Sequence, residues 1–110
     1  MEFDFARCRF DDAEIVRVSF DADEVTVTYR DWQESEHDLL FRNVIGVQMF
    51  APEGRALSHG AVDDHDPFIE VARQAAEEDS AVELRVYSFV SVWNDAKILR
   101  IVATAAASVR

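Results

Sequence analysis

One cysteine, three glycines and two prolines are all that this 110-residue chain holds of the residues that most constrain a backbone. With Cys8 alone, an internal disulfide and a cysteine-rich zinc site are both excluded, and the thiol is expected to be a small packed group. The glycines, at 46, 54 and 60, do not form a phosphate-cradling loop, and none precedes a Lys-Ser or Lys-Thr pair. No apolar run approaches the roughly 20 residues of a membrane span. The opening MEFDFARCRF lacks the basic start and apolar stretch of a secretory signal, so the cytoplasm is the expected compartment. Repeats, low-complexity segments and linkers are missing as well, which leaves residues 1–110 as one domain with a single core.

Basic side chains are also scarce: 11 against 22 acidic ones give a net charge of −11. The imbalance lies in residues 1–80, with 20 acidic and 7 basic side chains; residues 81–110 carry 2 and 4. Such a field repels phosphate backbones and anionic lipid, so neither nucleic acid nor a membrane is the expected partner. A basic protein would be steered towards it.

Alternating β-branched and aromatic residues are what the chain has in quantity. AVELRVYSFVSVW and AKILRIVATAAASV flank Asn94-Asp95 and read as a hairpin. A two-residue turn sets Trp93 opposite Ala96, Val90 opposite Leu99, Ser88 opposite Ile101 and Val86 opposite Ala103. Ser91–Ile98, Phe89–Arg100, Tyr87–Val102 and Arg85–Thr104 then share the other face. An earlier hairpin pairs Phe20 with Val25, Val18 with Val27 and Val16 with Tyr29. After the acidic connection DWQESEHD, residues 39–50 read as a third strand, bent where alternation fails around Gly46. Residues 51–66, with two glycines, read as a long loop. Asp66-Pro67 then opens an amphipathic helix to about Asp79 whose stripe is Phe68, Ile69, Ala72, Ala75 and Ala76. Residues 2–10 read as an edge strand or a packed arm. The order β-β-β-α-β-β predicts an α+β fold, a curved antiparallel sheet of about five strands with the helix packed on it.

No catalytic motif is present, and no cofactor is implied. The hairpin face bearing Arg85, Tyr87, Phe89, Trp93 and Arg100 mixes aromatics and arginines as interface centres do. Its cover is either the chain's own arm, since Phe3, Phe5 and Phe10 also need burial, or a second copy, or another protein. Glu77, Glu78 and Asp79 close the helix where the macrodipole favours cations, either an incidental feature of so acidic a chain or an acidic patch kept for a partner. His59, Asp63 and His65, with Asp64 and Asp66, are the candidate ligands for a divalent ion, and an enzyme or small-ligand site there is the alternative reading. Those residue types are equally at home in turns and helix caps. His37, between Glu36 and Asp38, reads as a solvated histidine.

The stretches FDDAEIVRVSF, VTVTY, Trp32 and LLFRNV together resemble small acidic bacterial α+β domains, including immunity-protein families that neutralise polymorphic toxins. That resemblance implies a non-enzymatic inhibitor that sets acidic side chains against a basic toxin; it carries no functional residue of its own.

Overall fold

Two strands, β1 (Glu14–Asp21) and β2 (Glu24–Arg30), build the first hairpin around a turn in which Ala22 takes φ 53°. The ladder sets Phe20 against Val25, Ser19 against Thr26, Val18 against Val27 and Arg17 against Thr28, the expected register. A bulge at Val16 then places Ile15, not Val16, opposite Tyr29 and turns Ile15 into the core. The computed structural model describes residues 3–77 and 82–109, so Glu78 and Asp79 lie outside the described residues.

In place of one sheet of about five strands there are two four-stranded antiparallel sheets. The remaining elements are β3 (Glu36–Arg42), β4 (Gly46–Met49), β5 (Leu57–Asp63), α1 (Phe68–Ala76), β6 (Arg85–Ser91), β7 (Lys97–Ala103) and β8 (Ala105–Val109). The sheet orders are β1-β2-β3-β8 and β4-β7-β6-β5. Both long runs read as single strands fold over a common corner. Between them the hydrogen bonds continue from Ile45 N–H to Val102 O (3.0 Å) and from Thr104 N–H to Arg42 O (3.1 Å). Asn43, at φ 54°, donates its side-chain amide to Thr104 Oγ1 at 2.9 Å and pins the bend. Strands that switch sheets at a bulged corner are the usual device for folding a ladder back on itself.

A second departure concerns residues 51–66, which hold β5 rather than a continuous loop. Gly60 interrupts the apolar alternation there for a steric reason. A Cβ at this position would stand 2.7 Å from Phe5 Cε2 and 2.8 Å from Phe10 Cε2, so the arm lies directly on the strand. On the other sheet edge Leu57 N–H donates to Ala13 O (2.8 Å) and Gly54 N–H to Ile15 O (2.7 Å), which ties the start of β5 to the start of β1.

The core lies between the sheets. Val25, Val27, Tyr29, Leu39 and Phe41 of the first meet Tyr87, Phe89, Leu99, Ile101 and Ala103 of the second. On the outer face of the second sheet, Ile69 and Ala72 of α1 cover Leu84, Val86 and Val102. Gly46 allows this approach, because a Cβ there would fall 2.9 Å from Ala72 Cβ. The helix stops short of Asp79: Glu77 adopts φ 55° and its N–H caps Arg73 O and Gln74 O, leaving Ala75 and Ala76 exposed. Among the described residues no helix is long and apolar enough to cross a membrane.

Candidate interaction surface

The C-terminal hairpin decides which aromatic side chains are available to a partner. Its turn is four residues, not two: Ser91 N–H donates to Ala96 O (2.8 Å), Val90 pairs with Lys97, and a bulge at Ile98 brings Phe89 opposite Leu99 and Tyr87 opposite Ile101. This one-residue difference moves Tyr87 and Phe89 into the space between the sheets and sends Arg100, opposite Ser88, to the helix-covered face. Arg85 stays exposed at the strand start. Trp93, at the tip, separates from the other four.

Phe89 and Tyr87 are covered by the chain's own arm, one of the alternatives the sequence leaves open. Phe5 opens a 3-10 turn, Phe5–Arg7, whose start is capped by Asp4 accepting the Ala6 N–H. Its ring lies 5.4 Å from Phe10, 5.4 Å from Tyr87 and 5.1 Å from Phe89, the last two edge-on. Cys8 ends that turn half-buried. Burial, followed by the nearby Asp4 carboxylate, pushes its thiol up to about 11, so it is protonated and unreactive at neutral pH. Iodoacetamide should therefore alkylate Cys8 in the folded protein at pH 8 at least about tenfold more slowly than in the urea-unfolded chain. Equal rates would remove the buried thiol from this description.

Beside Cys8, Tyr29 is raised to about 12 by burial and then by Cys8 and Asp31. His37 stacks on Tyr29 at 5.0 Å and sets Nε2 2.8 Å from Asp31 Oδ2, so its carboxylate partner is Asp31 and not Glu36 or Asp38. That contact, followed by the Ser35 N–H, holds the Asp31 carboxyl below the usual range. Asp31 Oδ1 also accepts the Gln33 and Ser35 N–H groups, each at 2.9 Å, so the His–Asp pair organises the connection between β2 and β3.

The proposed ligand set disperses. His59 is exposed with Nδ1 3.0 Å from Ser58 Oγ, Asp63 Oδ1 accepts the His65 N–H at 2.8 Å, and His65 Nε2 lies 3.5 Å from Asp64 Oδ1. Among the described residues no group of three or more His, Cys, Asp or Glu side chains is arranged to hold a metal ion. Asp66 instead turns inward. Its Oδ1 accepts the Phe68 N–H at 2.9 Å, and its Oδ2 accepts from Arg100 at 2.6 Å. Arg100 also reaches Gln48 Oε1 at 2.9 Å and lies 4.8 Å from the centre of the Phe68 ring. Burial opposes ionisation of Asp66, but Arg100, the Phe68 N–H and Lys97 together hold its carboxyl below the ordinary range.

Of the large apolar side chains that remain exposed among the described residues, Phe20, Trp32, Val62, Val71 and Val109 lie on other elements, while Met49, Phe50, Val92 and Trp93 share one end of the second sheet. Met49 ends β4 opposite Leu99, and Phe50 N–H donates to Ile98 O at 2.9 Å. From the other side Val92 N–H donates to Ala56 O at 3.1 Å, while Arg55 reaches back to Phe50 O at 3.4 Å. The β4 end, residues 51–56 and the hairpin tip thus form one surface. Trp93 is 84% exposed on it and Phe50 58%, with Val92 and Met49 also largely open. Ala51 at φ 46° and Asp95 at φ 53° hold left-handed conformations in the loops that present these side chains. Glu53 and Asp95 stand exposed among them, as do Asp11 and Asp12 beside the Ala13 carbonyl that receives Leu57. Sequence reasoning named Trp93 but missed Phe50, Val92 and Met49; the break in alternation after Gly46 and the Pro-Glu-Gly turn that follows were the available signals. Comparison with protein families, with curated proteins and with solved structures finds no match to this chain.

Proposed function

We propose that this protein is a non-catalytic protein-binding module that docks a basic partner on the end of the second sheet formed by Met49, Phe50, Val92 and Trp93. The observation that carries this reading is the 84% exposure of Trp93 at the same strand end as Phe50, in a chain of net charge −11. A tryptophan left open to water costs hydrophobic free energy that docking recovers, and exposed aromatics clustered on one surface are the usual anchors of an interface. Carboxylates around such an anchor accelerate encounter with a basic surface and select against acidic ones. An immunity-type inhibitor of a basic toxin, the function implied by the sequence resemblance, is the finer form of this proposal. Glu77, exposed at the helix end, follows Ala76 beside the Asn43–Thr104 corner and so lies away from this surface.

The experiment compares immobilised wild type with the double variant Trp93→Glu, Phe50→Glu, both first shown to melt at the same temperature. Proteins retained by the wild type should have basic surfaces, lose affinity at least about tenfold towards the variant, and bind more weakly as salt rises. An identical retained set on both columns would remove this surface as the docking site. A wild-type dimer that the two substitutions convert to a folded monomer would reassign it to a second copy of the chain.

A further inference from the structure

Among the described residues four strands lie at sheet edges, and three of them carry devices that discourage pairing with another chain. β1 has the bulge at Val16 and charged Glu14, Arg17 and Asp21. β4 is only four residues long. β5 has a register shift between Leu57 and His59, and Phe5 of the arm lies against its Gly60. The fourth, β8, reads AAASV: it pairs with β3 through an unbroken register from Arg42↔Ala105 to Asp38↔Val109, without charge, proline or bulge. Such an edge offers a row of backbone donors and acceptors to an incoming strand.

The same strand borders a cavity. Ala106 lines a space of about 620 Å³ with Phe3, Phe5, Val62, Tyr87 and Arg85. A volume of this size suits a bound ligand. Its lining joins apolar Phe3, Phe5, Val62 and Ala106 to the charged side chains Asp4, Arg7 and Arg85. Arg7 is neutralised by Asp4 at 3.4 Å. Arg85 has no ion-pair or hydrogen-bond partner for its guanidinium among the described residues, and neither does the Tyr87 hydroxyl for its proton.

We propose that this cavity and the free edge of β8 together bind the C-terminal end of an extended peptide. Backbone pairing with β8 holds the strand, an apolar side chain fills the space against Phe5 and Tyr87, and the terminal carboxylate meets Arg85 and the Tyr87 hydroxyl. Electrostatics favours a chain terminus over an acidic segment. One carboxylate satisfies Arg85, whereas a run of acidic side chains would meet the repulsion of a protein already at −11. The site is separate from the aromatic end of the second sheet and does not depend on it.

The test uses two pools of labelled random hexapeptides, one with free C-terminal carboxylates and one amidated, offered to the immobilised full chain and to Arg85→Gln. Because Arg85 is exposed, the variant is expected to keep the wild-type melting temperature. The free-acid pool should be retained at least about tenfold more than the amidated pool by the wild type and equally with it by Arg85→Gln. The selected peptides should slow hydrogen exchange of the amides of residues 105–109. Equal retention of the two pools, retention that survives Arg85→Gln, or no retention at all would each overturn the proposal. So would a doubled mass of the free protein by light scattering with these amides already protected, which assigns the edge to a second copy.

Discussion

Replacing Phe89 by alanine should lower the unfolding free energy by about 3–5 kcal/mol, a large part of the roughly 5–15 kcal/mol that holds a domain of this size together. The ring is fully buried where the two sheets and the arm converge, 5.1 Å from Phe5, 5.3 Å from Phe10 and 6.1 Å from Phe41. Truncation removes dispersion contacts to all three and leaves a void that no single neighbour can fill, because Phe5 and Phe10 are held on the arm and Phe41 on β3. Urea unfolding should show a reduced midpoint with an unchanged slope. A loss under about 1 kcal/mol would mean that the arm is not fixed against this ring.

Arg100→Met should cost about 3–5 kcal/mol, since it strips a buried carboxylate of its main counter-charge. Asp66 is 7% exposed and Arg100 18%, so water compensates little. Adding Asp66→Asn should recover part of the loss, because the unpaired charge then disappears. The pH dependence has a definite sign. In the wild type the Asp66 carboxyl is held below its ordinary value, so its contribution is complete above the unfolded pKa of about 3.9 and is lost as pH falls through the folded one. Without Arg100, burial is opposed only by the Phe68 N–H and the more distant Lys97, so the carboxyl moves up and acid relieves part of the variant's loss. The stability gap measured by urea unfolding should therefore shrink between pH 7 and pH 3.5. A constant gap would show that Asp66 is not the origin of the cost.

The two hairpins differ in how far their pairing can be read from residue types. In β1 and β2 one face is core and the other is Thr26, Arg17 and Ser19, so a slip would bury charge and the register is legible. In β6 and β7 both faces are buried, one against the first sheet and one against α1, so Val86, Ser88 and Val90 are as buried as Tyr87 and Phe89. Either register satisfies the pattern: the four-residue turn, with Asp95 at φ 53°, slides the pairing by two positions and keeps the faces, and the bulge at Ile98 then slides it back by one and exchanges them. The exchange of Phe89 and Arg100 between faces follows from that bulge. β5 was hidden for a related reason: Gly60 looks like a loop glycine until Phe5 and Phe10, more than forty positions earlier, are seen to occupy its missing side chain. Asp66 was legible as a helix cap, whereas its bond to Arg100 spans 34 positions and carries no local trace.

The corner at Asn43 and Thr104 has a consequence for the order of assembly. Each of the long bent strands belongs to both sheets, with residues 97–103 in the interior of one and residues 105–109 completing the other. A nascent chain that has emerged only as far as residue 91 can close the first hairpin and extend it to β3, but β4 has no strand to pair with and β6 meets only β5. Formation of the two sheets is thereby coupled through contacts separated by about sixty residues, which makes closure slow and late. Until then Phe41, Tyr87 and Phe89 lack the opposing sheet, and this half-built aromatic core is the species a chaperone would meet.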